Sequence, residues 1–114
     1  KVIKIQTTLA TELGVWLIEA SGVTALENKS KRDGTVTDET LTAPTVESAG
    51  ASLVVAVACA CEDVKDLASG SPFTNLEDIE GERTAWRITD APGTYGPVWE
   101  AGNGTFNVSV AAFR

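Results

Sequence analysis

Apolar and polar residues alternate in short runs along most of the chain, and the runs stop at Gly, Pro, Asn or Asp. Alternation with a period of two puts successive side chains on opposite faces of a strand, whereas a helix needs apolar residues three and four apart over several turns. No stretch holds a helical period for long. The pattern predicts strands over residues 2–8, 14–21, 35–42, 51–61, 82–90, 97–101 and 105–113. Residues 62–68, EDVKDLA, suit one helical turn, which Ser69-Gly70-Ser71-Pro72 ends. The fold class expected is all-β, an antiparallel two-sheet β-sandwich of about seven to eight strands.

The same alternation sorts inside from outside. In 82–90, Arg83 and Arg87 fall opposite Thr84, Trp86 and Ile88, which makes the second set core-directed. Val98 and Glu100 share a face and leave Trp99 on the other, while Phe106, Val108 and Val110 alternate with Asn107 and Ser109. Between them, AGNGT supplies residues that tolerate the positive φ of a tight hairpin turn. Trp16, Trp86, Trp99, Phe106, Val108 and Val110 are therefore the expected core, since rings at strand alternation are ordinarily buried. Tyr95, in APGTYGP, is expected to fix a corner by hydrogen-bonding its hydroxyl to nearby backbone. LVVAVACAC is apolar on both faces, with Ala56, Ala58 and Ala60 on one and Val55, Val57, Cys59 and Cys61 on the other. It reads as a central strand covered on both sides, or as one whose small face meets a neighbouring subunit.

At 114 residues the chain is expected to form a single domain, residues 1–114, with a core that needs no disulfide or metal to hold it. It contains no methionine, which suggests a processed product or part of a longer chain. The net charge of −7 opposes non-specific attraction to nucleic acid or anionic lipid, so neither is an expected partner. The longest apolar run, ASLVVAVACAC, is well short of the roughly 20 residues of a membrane helix.

From Gly14 to the end, the order of features resembles β-sandwich domains, Ig-like or jelly-roll-like, of bacteriophage virion proteins and large bacterial extracellular proteins. The likeness is carried by VWLIEASGV, by APTVESAGASLVVAVACA and by RTAWRITDAPGTYGPVWEAGNGTFNVSVAAF. These are fold-forming stretches, and the resemblance implies an architecture and a virion or extracellular setting more than a task. The chain is richer in acids between Glu62 and Glu82 than that pattern.

With no histidine in the chain, the usual general base, the Ser-His and Cys-His nucleophile pairs and the commonest zinc ligand are all missing. No spacing marks out a carboxylate pair for glycoside hydrolysis. The expectation is no enzyme and no cofactor. Cys59 and Cys61 offer two thiols to a soft metal, but a closed site wants four ligands, and small buried residues are the simpler reading. The acidic excursion gives an oxygen-rich calcium alternative in Asp63, Asp66, Asn75, Glu77 and Asp78, without EF-hand spacing, against a solvated loop. LENKSKRDGT reads as a loop whose Lys29, Lys31 and Arg32 suit acidic residues of a neighbouring copy. The function expected is a structural or assembly module of a phage particle, in a homo-oligomer or against a larger protein. The alternative is a cell-surface or secreted adhesion module, with carbohydrate as its ligand.

Overall fold

The structure of the protein, a computed structural model, describes residues 18–60, 62–79 and 81–114. Among them lie strands β1 (Leu26–Val36), β2 (Thr40–Thr42), β3 (Val46–Ser48), β4 (Ser52–Ala60) and β5 (Val64–Leu67). These are followed by β6 (Thr74–Ile79), β7 (Glu82–Thr89), β8 (Gly93–Tyr95), β9 (Val98–Ala101) and β10 (Gly104–Phe113). The fold is all-β and sandwich-like, with every pairing antiparallel. One sheet runs β1-β10-β4-β7-β6, a second β2-β9-β5, and β3 pairs with β8. The described strands are thus spread over three sheets, and the expected two-sheet arrangement is split at its smaller layer. Of the expected strands, 2–8 lies outside the described residues, as does most of 14–21 together with Trp16, Glu80 and Cys61.

Several segments depart from the pattern, and β3, β6 and β8 lie outside the expected strands. The basic stretch expected as a loop is β1, paired with β10 from Leu26 opposite Phe113 to Val36 opposite Gly104. Its alternation is invisible because both faces are polar: Asn28, Ser30, Arg32 and Gly34 lie on the side of Val110 and Val108, and Lys29 and Lys31 on the other. Among the described strands it is at the edge of the sheet, and lysines on an edge strand deter pairing by a second chain. Residues 62–68 form no helical turn but β5, whose Val64 is wholly buried against the core. Finally, β9 and β10 are not a hairpin, for they belong to different sheets and AGNGT carries the chain from one layer to the other.

At a second such corner, the expected strand 35–42 breaks into the end of β1 and β2. The break falls at Glu39, whose φ of 58° is left-handed. Asn103 holds it, accepting a hydrogen bond from the Glu39 amide at 3.1 Å, while the Ala101 amide donates to the Glu39 carbonyl at 3.0 Å.

The core is made by the inner face of the five-stranded sheet and the smaller layers above it. Val54, Ala56 and Ala58 of β4, Ala85 of β7 and Val108, Val110 and Ala112 of β10 meet Leu41, Val46, Val64, Trp99 and Ala101 in one buried cluster. Small alanines on the wide sheet leave depth for Trp99, which is fully buried and donates its indole N–H to Asn75 Oδ1 at 3.3 Å. Phe106 covers the core margin over Gly34, where an added Cβ would lie 3.0 Å from the ring. The Arg32 guanidinium stacks on the same ring.

Candidate functional site

In β7 both alternating phases carry large side chains, and the structure selects the phase opposite to the expected one. Ala85 lies opposite Ala56 in the core, while Trp86, opposite Val55, is half-buried on the outer face, and Ile88 is 70% exposed. Trp86 is therefore not part of the core. The arginines that pattern reading places outside lie on the inner side, at its rim. Arg83 donates through Nε to the Val64 and Lys65 carbonyls, and Arg87 lies 4.9 Å from the Tyr95 ring centre. Long aliphatic stems let both guanidinium groups reach polar partners at the edge of the sandwich. Tyr95 packs against the core and donates its hydroxyl to the Ala91 carbonyl at 2.7 Å. Trp99, Phe106, Val108 and Val110 are all buried.

The calcium candidates lie on or beside strands of different sheets. Asp63 and Asp66 accompany β5 in the small sheet, and both are exposed, whereas Asn75, Glu77 and Asp78 lie on β6 at the edge of the large one. Asn75 is turned inward to Trp99. No cluster of three acidic or cysteine side chains suited to a metal forms among the described residues. Cys59 is a free, half-buried thiol. In the basic patch, Arg32 faces inward and donates to the Thr42 carbonyl, which leaves Lys29 and Lys31 as the outward charges.

The feature that stands out is the outer face of the large sheet, which alternation does not mark because LVVAVACAC is apolar in both phases. The alanines are inside. Register aligns Phe113, Leu53 and Ile88 in one row across β10, β4 and β7, with Leu26 of β1 opposite Phe113. The next row is Ala111, Val55 and Trp86, and the third is Ser109, Val57 and Thr84. The face is thus most apolar at one end and grades to Asn107 and Cys59 at the other. An outer face in contact with water ordinarily carries polar alternates.

Over β4 and β10 this face forms a groove of about 860 Å³, lined by Leu53, Val55 and Val57 and also by Ile18, Val23 and Lys31. Towards β6 and β7, Ile88 and the 41%-exposed Leu76 are in solvent, Trp86 is half-buried and Thr84 is buried.

Scans against protein-family models, curated proteins and solved structures return no match for the chain.

Proposed function

We propose that the chain is a non-enzymatic structural module that acts by protein–protein packing, as a capsid decoration, fibre or tail-associated component of a phage particle. The observation that carries this reading is the outer face of the large sheet, whose apolar row ends at the exposed Ile88. Contiguous apolar surface rimmed by polar residues is the usual mark of an interaction site. The β6–β7 side is the packing surface, with the exposed Ile88 and Leu76 and the half-buried Trp86 as its anchors. An acidic chain without histidine agrees with a role that needs no acid–base chemistry. The particle setting is supported by the resemblance of the order of sequence features and the closing motif to virion β-sandwich domains.

The test is fractionation of particles from the source organism, with the copies of this chain per particle counted by quantitative mass spectrometry. A copy number matching the particle's symmetry, lost in an Ile88→Asp chain that still folds, is the expected result. A wild-type chain that stays wholly in the soluble fraction, or one that binds glycans on an array through Trp86, overturns the reading in favour of an adhesion module.

A further inference from the structure

The corner between β9 and β10 holds a reactive pair. Four asparagines occur in the chain, and Asn103 alone is followed by glycine; Asn28, Asn75 and Asn107 precede Lys29, Leu76 and Val108. A side chain on the following residue hinders approach of that residue's backbone nitrogen to the asparagine Cγ, and glycine presents none. The fold itself calls for glycine here. Gly104 has a φ of 155°, which L side chains rarely adopt, where the chain passes from the small sheet into β10. Asn103 is exposed, so water reaches its side chain.

What the structure adds is the position of the Asn103 amide group. The Glu39 N–H donates to Asn103 Oδ1 at 3.1 Å. A backbone N–H only donates, so it meets the oxygen and leaves Nδ2 as the other arm. Attack on Cγ puts negative charge on Oδ1, and a fixed N–H aimed at that oxygen stabilises the charge as it forms. The nucleophile belongs to the next residue, so no encounter step precedes the attack. Glu39 is held in its turn, since its left-handed backbone accepts from the Ala101 amide at 3.0 Å.

We infer that Asn103 is a site of self-modification, at which the Gly104 nitrogen closes a succinimide ring and ammonia is released. The Gly104 nitrogen gives its proton to hydroxide and bonds to Cγ. The Cγ–Nδ2 bond breaks, and Nδ2 leaves as ammonia with a proton taken from water, which restores the hydroxide. One water then opens the ring. Addition at Cγ gives aspartate, and addition at the former main-chain carbonyl gives isoaspartate, whose backbone runs through Cγ. Either product places a new negative charge beside Glu39, and isoaspartate also lengthens the link between the two layers by one main-chain atom.

The full chain is incubated at mildly alkaline pH, folded and in urea. Peptide mapping by mass spectrometry follows conversion of amide to acid at each asparagine, and an isoaspartyl methyltransferase reports isoaspartate. Asn103 is expected to convert several-fold faster than Asn28, Asn75 and Asn107, and no more slowly in the folded chain than in urea. Conversion several-fold slower in the folded chain overturns the inference, because the corner would then protect Asn103. So does conversion no faster than at the other asparagines. In an Asn103→Ala chain, the Glu39 amide is expected to exchange its hydrogen several-fold faster than in the wild type. Unchanged exchange would mean that this N–H is not bound to Oδ1, which overturns the activation of Cγ. None of these outcomes depends on Ile88 or on particle association.

Discussion

Cys59 sits on β4 with Glu82 beside it, and its thiol pKa is pushed up to about 11, first by burial and then by the charge and hydrogen bond of that carboxylate. A thiol reacts as its thiolate, so Cys59 is a poor nucleophile near neutrality. In a Cys61→Ser chain, alkylation of Cys59 by iodoacetamide is expected to stay slow through mildly alkaline pH and to rise only towards pH 11. Glu82→Gln removes the nearby charge and should move that profile to lower pH. A rate profile centred on the ordinary thiol value of 9.0 in the wild type would show that neither the burial nor the Glu82 contact holds in solution, and an unchanged profile in Glu82→Gln would remove the Glu82 contact alone. The sequence reading of Cys59 as a small strand residue without a metal partner needed only its alternation with Ala58 and Ala60. Glu82 was out of reach of that reading, because the pairing of β4 with β7 is a long-range fact.

Among the elements, β1 shows most clearly where pattern reading stops. Its strand conformation comes from pairing with β10 and not from any apolar alternation of its own, so LENKSKRDGTV looked like a loop. The strands with one dry face, β4, β9 and β10, fall close to the ranges their alternation indicated. Packing of β1 also depends on Glu27, which accepts hydrogen bonds from Ser52 Oγ at 2.6 Å and from the Ala49 amide at 2.8 Å, and so ties the edge strand to the β3–β4 turn. These bonds, that from Ser52 most of all, hold the Glu27 carboxyl below its ordinary value of 4.5. A lowered folded pKa means stability that is fully present above the unfolded value and is lost as pH falls through the folded one. The window therefore opens at about 4.5 and extends downward. Thermal melts across that range are expected to show a shallower acid decline for Glu27→Gln than for wild type, with Glu27→Gln the less stable at neutral pH. Parallel declines for the two chains would mean that the carboxylate bonds do not persist in solution.

At the scale of the whole molecule, an all-β sandwich with Trp99 and Phe106 inside was legible from alternation alone, whereas the side of the large sheet that faces the core was not. In RTAWRIT each phase offers something a core accepts: Thr84, Trp86 and Ile88 in one, and Ala85 between two arginines in the other. Hydrophobicity alone favours the first. Depth decides for the second, because the buried cluster that holds Ala56, Ala58 and Ala85 already contains Trp99, and a close-packed core does not take a second indole without displacing other side chains. The two assignments make opposite demands on a pair of substitutions. Ala56→Leu inserts bulk under the closed layer and is expected to cost about 1–3 kcal/mol. Ile88→Thr keeps the β-branch on an outward position and is expected to change monomer stability by no more than about 0.5 kcal/mol. Urea unfolding at concentrations too low for association measures both. Were Ile88→Thr the costly change and Ala56→Leu the mild one, the sheet would be facing the other way, and the apolar surface on which the packing role rests would be the core itself.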